Sequence, residues 1–131
     1  MTSDIDFVLL WVDMNDPVWQ KKFNRYLPTA NSEKTDTRAI KYRDWDNLRY
    51  WFRGVEKFAP WVRKIHFVTS DQCPEWLNLD APKLHYVTEA DYIPAEYLPL
   101  FNCNPLEINF HRIKGLSEQF VYFNDDMFLC I

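Results

Sequence analysis

The sequence predicts an α/β domain in which a mainly parallel sheet is flanked by helices. Two observations predict it. Short apolar runs rich in β-branched and aromatic residues read as strands buried on both faces. Helix-sized segments separate most of these runs, the arrangement that builds α/β sandwiches. The chain can fill such a core, because hydrophobic residues make up 47% of its 131 residues and aromatics 18%. That length suits one domain, 1–131, around one core.

The elements follow in order. Ile5 to Val12 (IDFVLLWV) is a continuous apolar run and the first expected strand. Asp16-Pro17 supplies a helix cap with proline at the first helical position, so a helix is expected over Val18 to Tyr26, closed by Pro28. Thr29 to Thr37 is polar and reads as a surface loop. Asp44 to Phe58 carries the strongest helical pattern, with Leu48, Trp51, Phe52, Val55 and Phe58 or Ala59 on one face and Pro60 as its stop. Lys64 to Thr69 and Leu84 to Val87 read as short strands, with a turn at Pro74 to Leu77 between them. Ala90 to Cys103 is aromatic and proline-punctuated, the character of an ordered loop. Asn104-Pro105 repeats the cap-then-proline signal, opening a helix to about Lys114 with Gly115 as its C-terminal stop. Phe120 to Phe123 is the last strand. The strand order does not follow from the sequence.

Several function classes are excluded. A net charge of −4 gives no basic field for nucleic acid or anionic lipid. Two glycines, Gly54 and Gly115, rule out a dinucleotide fingerprint and a P-loop. Cys73, Cys103 and Cys130 have neither disulfide-framework nor zinc spacing and read as semi-buried free thiols. Asp4 and Asp6 interrupt any apolar leader, so no signal peptide is expected, and no apolar run approaches a membrane span. Trp11, Trp51, Trp61 and Trp76 read as core.

What packing explains poorly is a recurrence of carboxylates where buried strands run out: Asp13, Asp71 and the adjacent Asp125 and Asp126 in FVYFNDDMFL. Ligands of open α/β sheets bind outside the carboxyl ends of the strands. Paired carboxylates there suit Mg²⁺ or Mn²⁺ and a nucleoside-diphosphate substrate. Strand ends capped by aspartates are the competing explanation.

Two blocks of the sequence resemble the Stealth family of sugar-phosphate transferases in bacterial capsule synthesis, relatives of N-acetylglucosamine-1-phosphotransferase. The first is IDFVLLWVDMNDPVW, from Ile5 to Trp19. The second begins YRDWDNLRYWFRGVEKFAPWVRKIHFVTSDQCPEWL and continues through LPLFNCNPLEINFHRIKGLSEQFVYFNDDMFL. The resemblance implies a nucleotide-sugar-transferase-like fold, incomplete here because two later family blocks are absent. It implies transfer of a hexose-1-phosphate from a UDP-sugar to a sugar hydroxyl, with UMP leaving. Residue by residue, Asn124, Asp125 and Asp126 match the family's N-D-D, which is expected to serve a metal-diphosphate or the attacking hydroxyl, with Asp125 and Asp126 as metal ligands. Asp13 and Asp16 match an element near the nucleotide. Arg43, Asp44 and Arg49 match a second element, Asn102, Asn104 and Glu107 a third, and His111-Arg112 a fourth. Arg43, Arg49 and Arg112 then become diphosphate clamps, and His111 a general acid or base. Asn47 stands where the family has glutamate.

The implied partners are a UDP-sugar donor and a glycan acceptor, and the implied location is the cytoplasm beside membrane-bound polysaccharide-assembly machinery. Self-association through the apolar C-terminal strand is a further expectation. Two other functions fit the same carboxylates: a nucleotide-sugar glycosyltransferase, and a non-catalytic nucleotide-sugar-binding or partner-dependent domain.

Overall fold

The computed structural model describes residues 4–13, 16–26, 48–98, 103–124 and 127–129. Its elements are β1 (Ile5–Leu10), α1 (Pro17–Tyr26), α2 (Leu48–Phe58), β2 (Ile65–Thr69), β3 (Leu84–Thr88), α3 (Glu89–Tyr92), α4 (Cys103–Ile108) and β4 (Gln119–Asn124). Single 3₁₀ turns lie at Ala95–Tyr97 and Phe110–Arg112. The four strands form one sheet in the order β3-β2-β1-β4. All three pairings are parallel. The expected class is therefore the observed one.

Alternation along β1 sets the layers. Phe7, Leu9 and Trp11 face one way and join Leu48, Trp51 and Val55 of α2, with Phe67 and Phe123, in one core. Val8 and Leu10 face the other way, into a second core with Val68, Val87, Tyr92, Leu106, Phe110 and Ile113. Both faces of the sheet are covered, which is why β1 reads as an unbroken apolar run. Helix α2 buries Leu48, Trp51 and Val55 at helical spacing. Burying each side chain of this size contributes about 1.5–3 kcal/mol.

Several expectations are corrected. The segment after Ala90 is not a plain loop, since α3 and a 3₁₀ turn occupy part of it. The helix expected to reach Lys114 stops at Ile108. There Asn109 Nδ2 donates to the Pro105 carbonyl, 2.8 Å away, competing with the helix's own backbone. Trp11 and Trp51 are buried, but Trp61 is 61% and Trp76 38% exposed. Trp61 follows Pro60 in a turn and covers the edge of Phe7 at 5.6 Å with one side, leaving the other to solvent. Cys73 is an exposed thiol. Among the described strands β4 is an edge, with Phe120 and Val121 exposed, as are Met127 and Phe128 beyond it. Leu129 instead packs against the α2-side core. The Thr29 to Thr37 loop and the start of the Asp44 helix lie outside the described residues.

Candidate functional site at the carboxyl edge of the sheet

The strand order creates one special position. From β1 the chain crosses by way of α2 to β2, then passes to β3 on the same side. It returns by way of α4, on the opposite face, to β4 on the other side of β1. The direction of winding thus reverses between β1 and β4. Outside the carboxyl ends of two such strands, open α/β sheets bind their ligands. The register makes the two ends level, because Leu10 pairs with Asn124. Asp13 follows one end. Asp125 and Asp126 follow the other in sequence and lie outside the described residues, as do Arg43, Asp44 and Asn102.

On the β1 side, the loop to α1 is shaped by three hydrogen bonds from one carboxamide. The Asp13 N–H donates to Gln72 Oε1 at 2.8 Å. Gln72 Nε2 donates to the Asp13 carbonyl at 2.8 Å and to Asp16 Oδ2 at 3.1 Å. The other Asp16 oxygen accepts the Val18 N–H at 3.1 Å, so Asp16 caps α1 as its place before Pro17 predicts. Asp13 and Asp16 are thus brought together, but Asp16 uses both carboxylate oxygens on its own protein. These residues line an open cleft of about 500 Å³ with Trp11, Asp71, Cys73 and Glu75. Asp71 adopts φ 55, a left-handed backbone that turns the chain sharply after β2.

On the β4 side, the Tyr122 hydroxyl lies 2.8 Å from Glu107 Oε1 and 2.5 Å from Asn124 Oδ1, and can donate to one of them at a time. Two predicted residues, Glu107 and Asn124, therefore meet through a tyrosine that sequence reasoning missed. Tyr122 looked like one more aromatic of a core strand. Alternation gave the only signal, since it puts Tyr122 and Asn124 on one face of β4. Gln72 was missed because it sits between a turn aspartate and a cysteine with no spacing of its own.

The remaining predicted residues divide. Arg49 lies in the first turn of α2, with its guanidinium 5.5 Å from the centre of the Trp76 ring. The C-terminal end of α2 meets the start of β2 at the amino edge. Its first turn, about 16 Å away, is therefore on the carboxyl side. Asn104 belongs to α4. His111 and Arg112 are exposed in the 3₁₀ turn after α4. His111 Nδ1 lies 3.1 Å from the Ile108 carbonyl. From there the chain runs to the opposite edge, where the Gly115 carbonyl accepts from Arg63 and the Ser117 N–H donates to Asp6. Among the described contacts, none brings His111 or Arg112 to the Glu107–Tyr122–Asn124 group. Because α4 ends at Ile108, Glu107 and His111 do not share one helical face.

Among the described residues no group of three or more His, Cys, Asp or Glu side chains is placed to hold a metal ion. Nor is any described helix long and apolar enough to cross a membrane.

Comparison with known proteins gives a consistent answer. Residues 41–131 match the family model for Stealth protein CR2, conserved region 2. The chain is 52% identical over 128 residues to the receptor polysaccharide phosphotransferase WefC of Streptococcus oralis, covering 97% of this chain and 39% of that protein. It is equally similar, at 52% over 128 residues, to the capsular polysaccharide phosphotransferase WcwK of Streptococcus pneumoniae, with the same two coverages. It is 50% identical over 126 residues to the capsular polysaccharide phosphotransferase CpsJ of Streptococcus thermophilus, covering 95% of this chain and 53% of that protein. The chain thus spans about two fifths to one half of the curated relatives it matches.

Proposed function

This chain belongs to the Stealth family, and from that premise we propose that it forms part of a sugar-phosphate transferase in capsular or related polysaccharide synthesis. The donor is a UDP-sugar and the acceptor a sugar hydroxyl of a glycan. The hydroxyl oxygen attacks the phosphorus that carries the sugar. The P–O–P bridge breaks, UMP leaves with the bridging oxygen, and the acceptor proton passes to a base or to solvent. The anomeric C–O bond is untouched. Such a reaction needs in-line positioning and neutralisation of charge around phosphorus more than covalent help from the protein.

The observation that carries this reading is the reversal of winding between β1 and β4. It sets Asp13 after one strand end and Asn124, followed in sequence by Asp125 and Asp126, after its neighbour. The chemistry of carboxylate oxygens suits Mg²⁺ or Mn²⁺, with Asp125 and Asp126 as the proposed ligands, and such an ion supplies charge neutralisation at a diphosphate. Arg49 adds a cation on the same side of the sheet. Asp16 shapes the loop that presents Asp13, and Glu107 and Tyr122 do the same for Asn124.

The test is product identity. Protein made from the whole reading frame, given a UDP-sugar and a glycan acceptor, should release UMP and form a phosphodiester. Release of UDP with formation of a glycoside would replace this reading by glycosyl transfer. Binding without turnover would leave a nucleotide-sugar-binding domain.

A further inference from the structure

We propose that Gln72 is a positioning residue for the transfer, holding Asp13 in place at the strand-end cleft; this rests on the reading above. The last backbone rung between β1 and β2 runs from the Trp11 N–H to the Val68 carbonyl at 2.9 Å. Beyond it the two chains part, since Asp71 turns away at φ 55. Gln72 then takes over with its side chain. Its carboxamide accepts the Asp13 N–H and donates to the Asp13 carbonyl, both at 2.8 Å. That is the two-way exchange a neighbouring strand would make. Its second N–H goes to Asp16 Oδ2. Both of its donors are used, and the residue is 7% exposed.

Gln72 is itself fixed from behind. The Tyr86 hydroxyl, reaching from β3, donates to the Gln72 carbonyl at 2.7 Å. A line of contacts therefore runs from β3 through Gln72 to the loop after β1. Both backbone groups of Asp13 are thus held at the point where the residue lines the cleft. An isolated loop would present the Asp13 carboxylate in many orientations, and positioning errors near 1 Å cost up to about a hundredfold in rate. A glutamine whose task were burial alone could be replaced by any uncharged side chain of its size. One that positions Asp13 cannot.

Gln72→Glu separates these cases, because the introduced carboxyl keeps the size and changes the donors. Ionised, it has no hydrogen to give and faces both the Asp13 carbonyl and the Asp16 carboxylate. Protonated, its carbonyl accepts the Asp13 N–H and its O–H donates back, restoring the two-way grip. The nearby Asp16 carboxylate holds this proton to higher pH than usual for glutamate. In protein made from the whole reading frame, kcat for sugar-phosphate transfer should fall about tenfold or more at about pH 8, with a smaller change in KM. It should recover, relative to the unaltered protein, by about pH 5.5. Gln72→Met, similar in shape and without donors, should show the loss with no acid recovery, and it carries the test if Gln72→Glu does not fold at high pH. Protection of the Asp13 amide, taken as exchange relative to its intrinsic rate at the same pH, should fall in Gln72→Met, which has no oxygen to accept that N–H. Unchanged kcat in Gln72→Met, or Asp13 protection there equal to that of the unaltered protein, overturns the proposal. If the unaltered protein transfers nothing, the functional reading fails. Exchange at Asp13 then decides the grip alone: faster exchange supports it and unchanged exchange overturns it.

Discussion

Asp6 is the residue whose surroundings the sequence hid most completely. Read in sequence it merely interrupts an apolar leader, yet it is fully buried. It accepts from Arg63 Nε at 2.9 Å and Nη2 at 2.6 Å, and from the Ser117 N–H at 2.9 Å. His66 Nε2 lies 2.8 Å from it, and His66 Nδ1 lies 2.8 Å from His85 Nδ1. Burial opposes the Asp6 charge, but the bonds from His66, Ser117 and Arg63 outweigh it and lower its pKa below the ordinary 3.8. Arg63 already balances that charge, so a proton on His66 would be an excess buried cation. Burial accordingly lowers both histidines below 6.5, with Arg63 and Lys64 reinforcing the effect at His66, and His66 and Lys64 at His85; Asp6 and Asp91 act against it. Neutral His66 then donates to Asp6 and accepts from His85. Because both histidines bind protons less readily folded than unfolded, stability is lost as pH falls below 6.5, down to their lowered folded values. Asp6 adds stability that is present above 3.8 and lost as pH falls through its own lowered value. The thermal midpoint should therefore drop between about pH 7 and about pH 5, and drop less in His85→Gln. A midpoint flat over that range would contradict the neutral histidine pair.

At the scale of elements, what the sequence made legible was what periodicity controls. The α2 face was readable because Leu48, Trp51 and Val55 recur at helical spacing and are all buried. β1 was readable because both of its faces are covered. The end of α4 was not, because the deciding contact is a side-chain bond from Asn109 to Pro105 that no period announces. Gly115 stops no helix, since α4 ends at Ile108, but it sits in a turn at φ 84, where L side chains are strained. An added Cβ there would meet nothing within 4 Å. Gly115→Ala therefore isolates backbone strain from clash, and should destabilise by about 1 kcal/mol in urea unfolding. An unchanged unfolding midpoint would mean that this turn relaxes freely.

At the scale of the molecule, the sequence offered candidate residues at the carboxyl ends of strands but not which strand ends are neighbours. Asp13 and Asn124 are 111 positions apart, and only the pairing of β4 with β1 rather than with β3 makes their strand ends neighbours. That choice rests on long-range packing, in particular Phe123 against Phe7 and Trp51, and on α4 returning across the opposite face. The central claim is that ligand binds where winding reverses, at the carboxyl ends of β1 and β4. Amide NMR of this domain during titration with a UDP-sugar and Mg²⁺ tests it most directly. Shifts concentrated at Trp11 to Asp13, Gln72 and Asn124, with Asp6, Arg63 and Ser117 unmoved at the other edge, are the predicted result. Shifts centred on the amino edge, or on the exposed turn carrying His111 and Arg112, would contradict it.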